Sequence, residues 1–123
     1  LTLPLVRRYA DWWNCPSYAA DDLLELRGQV GSARISVQHP VGLAPGRRRV
    51  DEVREVAERR FGSWGGLVCG TPHDVTQRFV DETRAGAELF IVAFTDFATP
   101  ETLRLFSREV MPATQAAARA HAR

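Results

Sequence analysis

His39 is the side chain in this sequence best suited to proton transfer, because an imidazole gains and loses a proton near neutral pH. It follows a short segment of alternating apolar residues and precedes Pro40, so it should lie where a strand ends. We therefore take His39 as a candidate catalytic residue. The alternative is a loop histidine whose ring is satisfied by a hydrogen bond.

The segment Gly70-Thr71-Pro72 is typical of a helix start. Threonine caps free backbone N–H groups, and proline fits the first helical position because no N–H is needed there. Asp74 falls in the first turn, where negative charge is favoured. Since helix N-termini attract anions, Gly70 and Thr71 could present N–H groups to a phosphate. The alternative is a well-capped helix without a ligand.

Arginines cluster at residues 47–49 and 59–60, and all 16 basic residues of the chain are arginine. Such a patch could bind the phosphates of a cofactor tail or of nucleic acid. However, Glu52, Glu55 and Glu58 are interleaved at helical spacing, which indicates a solvated, salt-bridged helix face. The formal net charge is only +1, and no aromatic residues interleave with the arginines, so we expect no nucleic-acid partner.

Cys15 and Cys69 are the only cysteines and have no CxxC partner, so we predict no structural zinc site. We expect two free, buried thiols; the alternative is a disulfide between them. No signal peptide is visible, and the longest apolar run, residues 89–94, is too short to cross a bilayer. We therefore expect a cytoplasmic protein with no membrane partner. Because residue 1 is leucine, we interpret the chain as part of a longer one.

Helical and extended patterns alternate along the 123 residues, which predicts an α/β fold with a parallel sheet. Pro40 should close the second strand, and Pro112 should interrupt the last helix. The third strand lacks polar alternation, so it should be covered on both faces. Residues 113–123 should form a frayed or partner-packed end. The predicted strands are 10–14, 33–41 and 89–94; the predicted helices are 1–9, 18–30, 50–61, 71–86 and the segment from 99 onward.

Four segments resemble, in the same order, the C-terminal part of the luciferase-like monooxygenase family of flavin- and deazaflavin-dependent oxidoreductases. The resemblance runs over roughly residues 5–112, and its strength lies in the order of the segments. The four segments are RYADWWN at 8–14, VCGTPHDV at 68–75, AGAELFIV at 85–92 and LRLFSREVMP at 103–112.

The resemblance implies that residues 1–123 form a single partial domain, the C-terminal part of a (β/α)₈ TIM barrel with about three parallel strands. A whole barrel of this kind has about 250 residues. The resemblance also implies redox chemistry on a small organic substrate. Either FMN with oxygen or a deazaflavin, coenzyme F-420, would carry that chemistry, while the protein binds and orients the cofactor.

In such a barrel the functional residues lie at the C-terminal ends of the strands. Trp12 and Trp13 are adjacent, so in a strand they point to opposite faces and one could reach a cofactor ring; core packing of both is the alternative. We predict no metal site. The candidate strand-end residues are Trp13, Asn14, Gln38, His39, Thr95 and Asp96, and the candidate cofactor-binding residues are Trp13, Asn14, Gly70 and Thr71.

Two other functions stay open. The chain could be a non-catalytic half-barrel that associates with itself or with a missing N-terminal piece, since a partial barrel leaves open sheet edges. It could also be an unrelated small α/β binding domain, in which case the resemblance is accidental.

Overall fold

The computed structural model describes residues 2–122 and contains a four-stranded sheet flanked by helices. All three strand pairings are parallel, so the predicted α/β class with a parallel sheet is confirmed. A fourth strand, β3, adds to the three predicted ones. The strands are β1 (Trp12–Cys15), β2 (Arg34–Leu43), β3 (Val68–Gly70) and β4 (Ala87–Phe94); the helices are α1 (Leu3–Tyr9), α2 (Leu23–Arg27), α3 (Val50–Phe61), α4 (Pro72–Ala85), α5 (Pro100–Leu105) and α6 (Met111–Ala122).

The long strand β2 lies at the centre of the sheet. Arg34 and Ala44 donate their backbone N–H groups towards β1 and β3, whereas the carbonyl of Val41 accepts from Thr95 beyond β4. Alternate residues of a strand bond to opposite edges, so β1 and β3 share one edge of β2 and β4 occupies the other. In a barrel, consecutive strands are neighbours, and β4 would lie beside β3. The observed sheet is open, with β4 beside β2.

Pro40 lies inside β2 and does not end it, contrary to the prediction. Pro40 shares the strand parity of Arg34 and Ala44, so its nitrogen faces the edge that β1 and β3 occupy. β1 pairs with residues 34–37 and β3 with residues 41–43, so position 40 falls in the gap between them. A proline is tolerated there because no neighbouring strand needs its N–H group.

Helices cover both faces of the sheet near the end of β2. Val41 packs in a core cluster with Val75 and Phe79 of α4. The next residue, Gly42, faces α3: a Cβ at this position would lie 3.1 Å from Val53 and 3.2 Å from Ala57. Because adjacent strand residues point to opposite faces, α3 and α4 lie on opposite sides of the sheet.

β4 is only partly covered, whereas its continuous apolar sequence predicted burial on both faces. Phe90 and Val92 pack in the core on the α4 side. Leu89 and Ile91 point to the other face and are 49% and 43% exposed. That face is covered by α3 only near the end of β2, and no strand in residues 2–122 pairs with the outer edge of β4.

The last helical segment continues through Pro112, which was predicted to interrupt it. A turn of π-helix over Phe106–Val110 joins α5 to α6, and Pro112 is the second residue of α6. A π turn shifts the backbone hydrogen-bond register, and this is where a helix can accept a residue without an N–H group. α6 then packs against α4. Within residues 2–122, no helix has the length and apolar character that a membrane crossing requires.

The predicted helix over residues 18–30 is shorter than expected. It consists of a 3₁₀ segment over Ser17–Asp22 followed by α2. Tertiary contacts account for the irregular start, because the Ser17 hydroxyl donates to the carbonyl of Trp64 and Asp21 pairs with Arg78. Gly31, with φ +67°, turns the chain towards β2.

Candidate functional site

His39 is completely buried in the core on the α4 side of β2, and not in a loop. Its Nδ1 lies 2.7 Å from the carbonyl oxygen of Gly66, and its Nε2 lies 2.8 Å from each carboxylate oxygen of Glu82. The carbonyl of Gly66 can only accept, so Nδ1 donates to it, while Nε2 and the carboxyl group of Glu82 share one hydrogen bond.

Arg78 extends this buried cluster to the surface. Its Nε donates to Glu82 over 3.1 Å, and its guanidinium also donates to Asp21 over 2.8 Å. Burial works against the charge of Arg78, but Glu82 and Asp21 together outweigh it and raise the pKa of Arg78. Arg78 thus lies between two carboxylates, the buried one of Glu82 beside His39 and the exposed one of Asp21, and its positive charge compensates the buried carboxylate.

Cys15 is a buried thiol on the same side of the sheet. Burial, with smaller contributions from Glu82 and Asp22, raises the pKa of Cys15 to about 11. Cys69 is half-buried, and burial raises its pKa as well, against the opposing effect of Arg54. Both thiols are free, as expected, and neither is activated as a nucleophile.

Asn14 and Gln38 lie on the opposite, more open face of the sheet. The hydroxyl of Ser36 donates to Asn14 over 2.9 Å, and the amide of Asn14 donates to Gln38 over 3.4 Å. Trp12 also lies on this face, and the guanidinium group of Arg34 stacks over its ring, with the guanidinium carbon 4.2 Å from the centre of the Trp12 ring. Trp13 points the other way and packs against the core. The two tryptophans thus face opposite sides, as predicted, and Trp13 has a core environment.

Gly70 and Thr71 form the start of α4, but a carboxylate of the chain itself fills this position. Asp74 accepts the backbone N–H of Thr71 over 3.0 Å, and the Thr71 hydroxyl accepts the N–H of Asp74 in return. Arg47 also donates to Asp74 over 2.9 Å. The backbone hydrogen bond from Thr71, and then Arg47, lower the pKa of Asp74 to about 2. A phosphate would have to displace this carboxylate, so the capped-helix alternative describes the observed geometry.

A crevice of about 400 Å³ lies at the carboxyl ends of β2 and β4, between α3 and α5. After β2 the chain runs to α3 on one face of the sheet, whereas after β4 it runs to α5. The connections that follow these two neighbouring strands therefore separate at this edge of the sheet. Open parallel sheets bind ligands at such points, where connections to adjacent strands separate. The crevice has apolar walls and a polar and charged rim. The walls include Leu43, Val53, Val56 and Leu105, and the rim includes Arg49, Glu52, Thr95, Asp96, Thr99 and Glu101.

The loop after β4 forms one side of the crevice and has a strained backbone. Phe97 and Ala98 both have φ +60°, a left-handed conformation that residues with a Cβ rarely adopt. The side chain of Asp96 holds the loop, accepting from the N–H of Ala98 and from the hydroxyls of Thr99 and Thr102. The loop is therefore fixed in a conformation that leaves Phe97 71% exposed.

Arg60 of α3 contacts the same loop at two points. It donates to the carbonyl of Thr95 over 2.7 Å, and its guanidinium carbon lies 4.7 Å from the centre of the Phe97 ring. Arg49 forms an i,i+3 ion pair with Glu52, as the interleaved acids predicted, whereas Arg47 pairs with Asp74 of α4, which is distant in sequence. Within residues 2–122, no group of three His, Cys, Asp or Glu side chains is arranged to hold a metal ion.

The structure brings the predicted strand-end residues together in two separate pairs: Thr95 and Asp96 line the crevice, and Asn14 and Gln38 are hydrogen-bonded on the open face. His39 and Trp13 are in the core, and Asn14 and Gln38 are on the open face. Sequence reasoning missed Glu82, although its spacing from Val75 and Phe79 places it on the buried face of α4. Arg60 had no comparable signal, because its partner Thr95 is distant in sequence.

No protein-family model matches this chain, and no curated protein is significantly similar to it.

Proposed function

We propose that this chain forms part of a flavin- or deazaflavin-dependent oxidoreductase, or monooxygenase, that acts on a small organic substrate. The crevice at the carboxyl ends of β2 and β4 is the observation that carries the proposal, because parallel sheets bind small molecules at this position. Its volume of about 400 Å³ suits a small molecule. The four segments that resemble the luciferase-like family support the type of chemistry.

Within the crevice, we propose that Val53, Val56 and Leu105 contact the ring of the flavin or deazaflavin and the apolar part of the substrate that lies against it. The charged rim, which includes Arg49 and Glu101, would orient its polar groups. Asp96 is a positioning residue: its carboxylate accepts hydrogen bonds from Ala98 and Thr99 and so fixes the loop that forms one side of the crevice. We assign no catalytic residue, and His39 has a structural role in this proposal because both of its ring nitrogens are engaged in the core.

A flavin or deazaflavin, when bound, supplies the redox chemistry that side chains lack. The start of α4 does not fit the phosphate of such a cofactor, because the carboxylate of Asp74 already accepts the N–H group of Thr71. Trp13 does not fit a ring-stacking role, since it packs against the core. In this proposal the phosphate group is therefore held by residues outside this chain.

The finer proposal for the fold is that the chain supplies the last strands of a (β/α)₈ barrel. That requires β4 to leave β2 and pair beside β3 when the remaining strands are present. Cysteines at Gln38 and Ile91, which are partners across β2 and β4, test the pairing. A disulfide that forms in this chain but not in a longer protein with the missing strands supports the barrel. A disulfide that forms equally in both contradicts it.

The outer edge of β4, which no strand of the described residues 2–122 pairs with, favours a second candidate function, a non-catalytic module. Leu89 and Ile91 are exposed beside this edge, and Glu88 is the only charged residue within the strand. An unprotected strand edge with apolar neighbours pairs readily with another chain. The module would associate with a second copy or with the missing N-terminal piece of a barrel.

A cofactor titration with mass determination on the same sample tests the proposal. We expect saturable binding of FMN or a deazaflavin, followed by fluorescence, and an affinity at least tenfold lower in Val56→Trp, which fills the crevice. Glu55→Trp is the matched control, because Glu55 is exposed on the same helix. A folded monomer that binds neither cofactor contradicts the crevice proposal for this chain. A dimer that binds neither favours the module.

A further inference from the structure

We propose a second ligand site, independent of the crevice, in a groove between α6 and the sheet. The groove encloses about 830 Å³, within the range of known small-molecule sites. It lies under β4 on the α4 side and opens at the amino ends of the strands. The ligand we propose is an elongated, mostly apolar molecule with a carboxylate at one end and an oxygen atom part of the way along its body.

The floor of the groove is apolar. Phe90 and Val92 reach it from β4, Phe79 from α4 and Phe106 from the π turn. Phe79 and Phe90 stack in parallel with ring centres 4.4 Å apart, and Phe79 and Phe106 meet edge to face at 6.2 Å. This floor would exclude water from the apolar body of a ligand, which favours its transfer out of solution.

Basic side chains line the open end of the groove, which lies at the amino ends of the strands. Arg27 ends α2, and His121 lies in the last turn of α6; both line the groove. The first residues of β4 and the last of α4 line it as well, which places this opening at the amino end of the sheet. Among residues 2–122, Arg27 has no carboxylate within ion-pair distance. A carboxylate at this opening would supply the missing partner.

Thr114 gives the second, independent indication of a ligand. It lines the groove, is only 9% exposed, and its hydroxyl is buried without a hydrogen-bond partner in the described residues. A helical threonine usually donates to the carbonyl one turn earlier, so an unpartnered hydroxyl at this depth is unusual. Leaving a buried polar group unpaired is unfavourable, and a ligand oxygen would relieve that cost.

The spacing of these groups sets the form of the ligand. Thr114 lies two helical turns before His121, about 10 Å along the axis at 1.5 Å per residue. Allowing for the reach of the basic side chains and for the hydrogen bonds at both ends, the ligand oxygen should lie a few carbons from the carboxylate. A hydroxy or keto acid of medium chain length has this arrangement.

Calorimetric titration of the chain with 5-hydroxydecanoate and with decanoate tests the site. We expect both to bind, with 5-hydroxydecanoate binding more tightly, and the neutral alcohol decan-1-ol to bind at least tenfold more weakly. Arg27→Met keeps the aliphatic stem that packs on Gly86 but removes the charge, and it should weaken both acids equally. Thr114→Val should remove the advantage of 5-hydroxydecanoate and leave decanoate binding unchanged.

Ala118→Phe fills the groove and should abolish binding of both acids. Ala116→Phe, on the exposed side of the same helix, should leave binding unchanged and so controls for helix stability. The proposal is overturned if the folded chain binds neither acid, or if a second copy covers the groove and the chain is a dimer that Ala118→Phe dissociates. Binding that survives Ala118→Phe also overturns it, and none of these outcomes depends on flavin binding in the crevice.

Discussion

The two faces of β2 carry polar side chains in opposite environments, one residue apart in the sequence. On the α4 side, His39 is closed off from solvent, and Gly66, Glu82 and Arg78 saturate the cluster. On the other side, Gln38 belongs to a partly exposed amide network with Asn14. The buried cluster has a fixed set of partners, whereas the open network can exchange its hydrogen bonds with water. We infer that the first holds the fold together and the second is energetically replaceable.

Glu82→Ala should have the largest effect on this comparison, because it leaves the buried His39 and Arg78 without their shared hydrogen-bond partner. We expect the free energy of unfolding, measured in urea, to fall by about 3–5 kcal/mol. Asp81→Ala, an exposed neighbour on α4, should change it by less than about 0.5 kcal/mol. Equal effects of the two substitutions would break the distinction between a buried, saturated cluster and a solvated surface.

Gly66→Ala sharpens the comparison by disturbing the backbone acceptor of His39. Gly66 has φ +65°, and a Cβ there would collide with the carbonyl of Ser17. We expect a loss of about 1–3 kcal/mol from backbone strain, together with a changed ring environment of His39 in NMR spectra. Gly46→Ala is the control, since Gly46 is extended and has open space around it. A Gly66→Ala protein as stable as the control would contradict the described loop.

Ser36→Ala should have a smaller effect, because it removes the single hydrogen bond that the buried hydroxyl of Ser36 donates to the exposed Asn14. We expect a loss of about 0.5–1.5 kcal/mol in thermal or urea unfolding. Ser107→Ala provides the baseline, because it removes one hydrogen bond, to the carbonyl of Arg104, at an exposed helix position. If Ser36→Ala destabilises the chain as much as Glu82→Ala does, the open face is as important to the fold as the buried one.

Asp74→Asn should have the smallest effect, which is present near neutral pH and disappears in acid. Its pKa in the folded chain, about 2, lies below its ordinary value of 3.8, so its carboxylate adds stability above about pH 4. That contribution is lost as the pH falls from about 4 to 2. Asp74→Asn should therefore be less stable than the parent near pH 6, with the difference shrinking in acid. A difference that stays constant down to about pH 2 would show that the charge of Asp74 is not involved.

The spacing of apolar residues and the residues typical of helix ends and turns predicted the elements that depend on local sequence. The capped start of α4 at Thr71 and the helix over residues 50–61 need no distant partner, and both are confirmed. The expectations for Pro40 and Pro112 were wrong for non-local reasons. Pro40 falls in a gap between two neighbouring strands, and Pro112 follows a π turn. Neither feature can be read from the residues beside the proline.

The candidate site was less predictable, because strand alternation separates residues that are adjacent in sequence. Gln38 and His39 were taken together as strand-end residues, yet they lie on opposite faces of β2. The partners that define their environments, Asn14 and Glu82, come from other elements. Thr95 and Asp96 lie in the crevice as the strand-end rule predicts, because β4 ends at Phe94.

The most direct test of the account is an amide NMR map of the chain titrated with FMN and with a deazaflavin. The proposed function predicts saturable shifts at the crevice, at Thr95, Asp96, Thr99 and Val53, with little change at His39 and Gly66. Shifts centred on Gly70 and Thr71 would contradict the assignment of that helix start to an internal carboxylate. A folded chain whose spectrum does not change with either cofactor would contradict the crevice as its binding site.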